Sequence, residues 1–172
     1  NAAASSIANG GYDYHGTGRV NQDARDFAAG RRIGMALEAA HRKNKPLFIA
    51  VTSDGSVSSG NNSRTNDAAG GKIDFSSDSG SRGAYLMFAI GSGEGRPNMN
   101  FSQVGAFSDA GAVDTSYLIT SSNPNMQALN IVQNYASLSG RTKEFNELLT
   151  KLGSNNPFSG KDAQYLAFLP FI

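Results

Sequence analysis

The stretch Leu47-Phe48-Ile49-Ala50-Val51, followed by Thr52-Ser53-Asp54-Gly55, decides the expected fold of this chain. Five consecutive apolar residues predict a strand that is covered on both faces, as in the interior of a parallel sheet. A helix predicted for about residues 22–43 leads into this strand through Pro46 and supplies half of a βαβ unit. A second apolar run, residues 84–90, predicts a neighbouring, buried, parallel strand. The expected fold class is therefore α/β, with a mainly parallel sheet flanked by helices.

The predicted helices have recognisable ends and faces. The first is expected to start after a cap at Asn21 and to press a broad apolar surface closely against the sheet; that surface comprises Ala24, Phe27, Ala28, Met35 and Leu37. A second helix is predicted from Pro124 to about Leu138, capped by Ser122 or Asn123 and ended by Gly140. A third covers about residues 142–152. The apolar tail, residues 165–172, is predicted to be either a last strand or an extended segment that docks on another surface.

Composition limits the classes of function. The chain has 172 residues, a formal net charge of +1 and 17% charged residues, which fits one domain without the basic footprint of a nucleic-acid-binding protein. It has no cysteine, so disulfides, zinc–thiolate sites and cysteine nucleophiles are excluded. No apolar run is long enough to span a membrane. We expect residues 1–172 to form a single α/β domain.

The stretch Gly10-Gly11-Tyr12-Asp13-Tyr14-His15 carries the most chemical information. Asp13 and His15 are both metal-ligand types, and with one residue between them they could converge on one ion from a loop. The same residues also suit a polar turn in which Asp13 caps the backbone and His15 is solvated. His41, the other histidine, falls in the last turn of the first predicted helix. The helix dipole favours positive charge at that end, so His41 needs no further role.

Two further aspartates are candidate ligands. Asp54 follows the first apolar strand, at the carboxyl edge where open parallel sheets build their sites. It could be a metal ligand or a general base, or simply a turn-forming residue. Asp78, in Ser76-Ser77-Asp78-Ser79-Gly80, is a possible ligand within a stretch that reads more readily as a hydrophilic loop. The sequence predicts that Asp13, His15 and Asp54 cluster at one edge of the sheet.

The order of these motifs resembles that of a family of exported bacterial proteins of unknown function within the alkaline phosphatase and sulfatase superfamily. Members of that family show Gly-Gly-Trp-Asp-Thr-His, then Thr-Glu-Phe-Gly-Arg, then Gly-Thr-Asp-His-Gly, and the similarity covers about residues 10–150. The resemblance implies an alkaline-phosphatase-like fold in which Asp13 and His15 are metal ligands. The later Asp-His pair is not retained, because no histidine follows Asp54 and Ser79 stands where the other histidine would be.

The resemblance implies a depleted site. The superfamily nucleophile would lie upstream of the region represented here, so the chain is expected to be the carboxy-terminal portion of a larger or processed protein. The expected function is that of a non-catalytic, exported structural, binding or cell-surface assembly module, located in the periplasm, outside the cell or on its surface. The alternative is a metal-dependent phosphoester or sulfoester hydrolase completed by an amino-terminal part.

Cofactor and partners follow from the same reasoning. Three carboxylates and one histidine favour calcium, magnesium or manganese over zinc. With so few histidines and no identifiable base beside a nucleophile, the chain alone is not expected to hold a zinc pair or to hydrolyse esters. The expected partner is a protein, either the upstream part of the same precursor or a second copy, with no nucleic acid and no membrane span.

Overall fold

A computed structural model of the chain describes residues 4–12, 19–52, 65–66, 72–73, 84–93, 95–109 and 113–172. Within them lie four α-helices and three two-stranded antiparallel sheets. The helices are α1 (Arg19–Arg42), α2 (Pro124–Leu138), α3 (Thr142–Lys151) and α4 (Asp162–Tyr165). The strands are β1 (Leu47–Thr52), β2 (Thr65–Asn66), β3 (Lys72–Ile73), β4 (Tyr85–Ile90), β5 (Asn98–Met99) and β6 (Phe168–Leu169). A short 3-10 helix, Ile119–Ser122, precedes α2.

The predicted α/β fold with a mainly parallel sheet is wrong. β1 and β4 are neighbours, as expected, but they run antiparallel, with Leu47 opposite Ile90 and Thr52 opposite Tyr85. The other described pairs, β2 with β3 and β5 with β6, are antiparallel as well. The alkaline-phosphatase-like architecture that the resemblance implied is therefore contradicted too.

The apolar runs have a different explanation. Phe48, Met87 and Ala89 share one face of the β1–β4 ribbon and pack against buried side chains at the end of α2 and around β6. α1 contacts both strands of the ribbon. Most of the strand residues are half-buried rather than buried, and Leu86 is 59% exposed. Apolar residues on both faces thus reflect a ribbon in contact with helices, which a sequence pattern does not distinguish from a central parallel strand.

The helix boundaries agree better with the sequence. α1 covers the predicted helix but starts earlier, so Asn21 lies inside it and not at its cap. The Asn123 side chain caps α2 by accepting hydrogen bonds from the backbone N–H groups of Asn125 and Met126. Gly140, with φ of +69°, ends α2 in the left-handed conformation that glycine adopts without strain.

The buried face of α2 is polar, which the sequence did not suggest. Asn130, Gln133, Asn134 and Ser137 are all fully or almost fully buried. Buried amides and hydroxyls are unfavourable unless they are hydrogen-bonded. Their partners therefore determine what α2 can pack against.

Asn134 holds the chain that follows α4. Its Nδ2 donates to the backbone oxygen of Tyr165 at 2.9 Å, and its Oδ1 accepts from the backbone nitrogens of Ala167 at 2.7 Å and Phe168 at 3.2 Å. Ser137 Oγ donates to the backbone oxygen of Phe168 at 2.8 Å. Side chains of α2 thus satisfy backbone groups of residues 165–168, while the Asn100 and Phe101 nitrogens donate to the Ala167 oxygen.

Asn130 and Gln133 extend the same network to other elements. Asn130 Nδ2 donates to Gln133 Oε1 and to the Tyr165 oxygen, both at 3.0 Å. Gln133 Nε2 donates to Asp162 Oδ1, at the start of α4, at 2.9 Å. The Tyr85 hydroxyl of β4 donates to Asn130 Oδ1. We refer to Tyr85, Asn130, Gln133, Asn134 and Ser137 as the α2 amide network.

Apolar clusters surround this network. They comprise Leu118, Phe158 and Tyr165; Ala136, Phe145 and Leu149; and Leu138, Ala167 and Phe168. Beyond α4 the apolar tail is extended and contains the short strand β6, so it combines the two predicted alternatives. Ile172 exchanges two backbone hydrogen bonds with Arg96 at its end.

Replacing Asn134 by leucine, which has a similar volume, is expected to lower the free energy of unfolding by about 3 kcal/mol or more. The substitution leaves the Ala167 and Phe168 nitrogens buried without their partner, at about 1–3 kcal/mol for each unsatisfied group, whereas the Tyr165 oxygen keeps the hydrogen bond from Asn130. Denaturant unfolding followed by circular dichroism measures the change. Asn125→Ala, an exposed change on the same helix, is the control and is expected to stay within about 0.5 kcal/mol. A loss below about 1 kcal/mol for Asn134→Leu would contradict the role of the network.

Candidate functional site

The four predicted metal ligands, Asp13, His15, Asp54 and Asp78, lie outside the described residues. Their clustering and a bound divalent cation therefore stay predictions. Among the residues that the structure describes, no group of three or more His, Cys, Asp or Glu side chains is placed to hold a metal ion. His41 occupies the last turn of α1, as predicted, and is exposed. Across the same residues, no helix has the length and apolarity to cross a membrane.

A cleft of about 500 Å³ lies between the amino-terminal segment and the first half of α1. The segment contributes Ala8, Asn9, Gly10 and Tyr12, and the helix contributes Asn21, Ala24, Arg25, Ala28 and Arg32. The helical residues recur at intervals of three and four, which places them along one side of α1. The Tyr12 hydroxyl donates to the backbone oxygen of Arg25 at 2.9 Å and ties the segment to the helix.

Gly11 allows the segment to approach Arg25 closely. Arg25 Nη1 donates to the Gly10 oxygen at 3.4 Å. A Cβ atom on Gly11 would overlap the guanidinium, with Arg25 Cζ only 2.8 Å away, and Gly11 has a φ of +84°. The backbone conformation favours glycine here, and a larger residue would displace the Arg25 guanidinium. Gly11 of the first motif thus has a structural role beside α1 that the sequence analysis did not identify.

The cleft is cationic. Arg25 and Arg32 are both exposed, and the Arg32 guanidinium donates to Asn9 Oδ1. The ion pairs between described residues are Arg42 with Glu38 and Lys143 with Glu147, so neither cleft arginine is paired with a described carboxylate. The sequence signal was present in the seven-residue spacing of Arg25 and Arg32, which returns a side chain to the same side of a helix.

The side of α1 opposite Gln22, Ile33 and Leu37 presents large apolar side chains to solvent. Val20, Phe27 and Met35 are 65%, 74% and 61% exposed. The expectation that Phe27 and Met35 press against a sheet is therefore wrong. The side chains of α1 that are buried or half-buried on the inner side include Gln22, Ile33, Leu37 and Ala40. We define Val20, Phe27 and Met35 as the outer face of α1.

Tyr85 is a titratable group that burial perturbs. Burial raises the pKa of its phenol to about 12, because the charged phenolate is poorly solvated there. The hydroxyl therefore stays protonated at neutral pH and serves as the donor to Asn130. In contrast, hydrogen bonds from the Ser116 hydroxyl and backbone nitrogen lower the pKa of the Asp114 carboxyl.

Comparison of the chain with known protein families, with curated proteins and with solved structures found no match. The resemblance to the alkaline phosphatase and sulfatase superfamily stays a prediction. The candidate sites of the described residues are therefore the cationic cleft and the outer face of α1, each defined by its own geometry.

Stability is expected to fall as the pH rises from about 10 to 12, because Tyr85 is then protonated in the folded state and ionised in the unfolded state. Its contribution is complete below the unfolded pKa and is lost as the pH passes through the folded pKa. The two-unit difference corresponds to roughly 2–3 kcal/mol. Urea unfolding at a series of pH values should show this decline in the parent protein and a flatter profile in Tyr85→Phe. Tyr117→Phe, at an exposed site, is expected to follow the parent, and an identical slope in Tyr85→Phe would contradict the linkage.

Proposed function

We propose that the chain is a non-catalytic structural or binding module that assembles with a second copy of itself through the outer face of α1. The observation that carries this proposal is the exposure of Val20, Phe27 and Met35 along one side of a single long helix. Burying a side chain of this size contributes about 1.5–3 kcal/mol. A stripe of three such residues is therefore a strong candidate for a contact surface.

The spacing of the outer face suits a helix partner. Val20, Phe27 and Met35 are separated by seven and eight residues, which keeps them within about 80° around the helix over about 22 Å of its length. The seven-residue spacing of Val20 and Phe27 is the repeat by which paired helices keep a shared seam. A helix with its inner side on its own fold and its outer side on a partner accounts for apolar residues on both sides of α1.

The outer face is self-complementary. In an antiparallel pair centred between residues 27 and 28, Val20 of one copy lies opposite Met35 of the other, and Phe27 lies opposite Ala28. Arg31 then lies opposite Ala24, so the pairing sets large side chains against small ones and brings no two like charges into direct opposition. Two-fold pairing of identical surfaces is the commonest way in which soluble proteins associate.

Export to the periplasm, the extracellular space or the cell surface is part of the proposal. Its support is compositional: only 17% of residues are charged, 20 of 172 are glycine, and cysteine is absent. The alternative, a metal-dependent ester hydrolase completed by an upstream part, stays a prediction.

Analytical ultracentrifugation over a range of concentrations tests the proposal. The chain is expected to dimerise, and Phe27→Asp is expected to weaken the dimer at least tenfold, because it places a charge at the centre of the buried stripe. Leu152→Asp changes another exposed apolar residue, 71% exposed just after α3, and is the matched control.

Circular dichroism separates loss of association from loss of fold. All variants are expected to keep the parent spectrum, since each residue is exposed. A chain that stays monomeric at about 1 mM would overturn the proposal. An equal loss of dimer in Leu152→Asp would locate the interface elsewhere and would also overturn it.

A further inference from the structure

We infer that the cationic cleft between residues 8–12 and α1 binds a linear organic dicarboxylate, with one carboxylate at Arg25 and the other at Arg32. This inference does not require dimerisation, but Ala24 and Ala28 belong both to the cleft and to the proposed helix pair, so it is tested on the monomeric chain as well. A cleft of about 500 Å³ lies within the range of small-molecule sites.

The two arginines set the chemistry of the ends of the ligand. A guanidinium has five N–H donors in a planar fork that matches a carboxylate. The Arg25 and Arg32 guanidiniums each engage a neutral oxygen, from Gly10 and Asn9, and neither is paired with a carboxylate among the described residues. Both therefore retain donors for an anionic group.

The separation of the arginines sets the length of the ligand. Seven residues of α-helix cover about 10 Å along the axis. A small anion such as inorganic phosphate contacts both guanidiniums only if the two side chains converge, whereas a chain with a carboxylate at each end can engage both at the spacing of their Cα positions. Eight-carbon dicarboxylates approach this length when extended.

The walls between the arginines favour an apolar middle. Ala24 and Ala28 line the cleft on the helix side, and Ala8 and the Tyr12 side chain line it on the other side. Methyl groups and an aromatic ring suit methylene groups and offer few partners to additional charges. The Tyr12 hydroxyl is already engaged with the Arg25 backbone oxygen, which holds this wall in place.

The positions of Gly10 and Gly11 support a preformed site. The Gly11 backbone lies against the Arg25 guanidinium, so close that the Cβ atom of a larger residue would displace that side chain. Holding a cation in position before the ligand arrives reduces the ordering that binding requires.

Titration of the intact chain by isothermal calorimetry and NMR at low ionic strength tests the inference. The probes are succinate, adipate, suberate, the monocarboxylate octanoate and inorganic phosphate. Suberate is expected to bind with a Kd of about 1 mM or tighter. Its affinity is expected to exceed that of succinate, octanoate and phosphate by about tenfold, because each of these engages a single arginine.

Variants locate the site. Arg25→Gln and Arg32→Gln are each expected to reduce suberate affinity about tenfold, to the level of octanoate in the parent. Arg31→Gln removes the same charge from the neighbouring position, which does not line the cleft, and is expected to bind suberate within about twofold of the parent. Repeating the titration in Phe27→Asp keeps the result independent of dimerisation.

Two kinds of result would overturn the inference. No binding of suberate at about 10 mM would show that the cleft is not a dicarboxylate site. Equal affinity for succinate, suberate and phosphate, or an equal loss in Arg31→Gln, would show attraction by net charge alone. Loss of suberate binding with an unchanged spectrum in Arg25→Gln, together with retained binding in Arg31→Gln, is the result that supports it.

Discussion

The hydrogen-bonding requirement of the buried amides on α2 is the constraint on which the described fold depends. Asn130, Gln133 and Asn134 are completely buried, and a buried amide without partners is costly. Their partners are the backbone of residues 165–168, the Asp162 carboxylate and the Tyr85 hydroxyl. α2 therefore packs correctly only when α4, β6 and β4 are all in place, which makes the network a condition for the carboxy-terminal half to fold as a unit.

The same constraint explains the position of the ribbon. β4 supplies Tyr85 to the network, and the ribbon face that carries Phe48 and Met87 packs against the apolar cluster beside it. α1 also contacts the ribbon, but fewer of its side chains are buried than those of α2. Among its described side chains only Gln22 and Ala40 are buried. α1 is thus attached to the β1–β4 ribbon, while most of its side chains are exposed to solvent. It can therefore carry both the outer face and the cleft.

The sequence allowed the local elements to be predicted better than their arrangement. The ends of α2 followed from Asn123, Pro124 and Gly140, whose backbone preferences are local. The strands β1 and β4 followed from their apolar runs, but their direction did not, because pairing direction depends on contacts between distant segments. The burial of Asn134 could not be predicted either, since an asparagine in a helix usually indicates a solvated side and only the position of residues 165–168 reverses that expectation.

The candidate sites show the same division. A seven-residue spacing made Arg25 and Arg32 detectable as a pair, but the cleft exists because residues 8–12 lie along α1, and nothing local in the sequence specifies that contact.

The most direct measurement of the central claim is native-state hydrogen exchange at the Ala167 and Phe168 amides, which donate to Asn134. We predict opening free energies within about 1 kcal/mol of the most protected amides of α2. Exchange at these two amides as fast as at exposed, unbonded amides would contradict the claim that the α2 network holds the fold together.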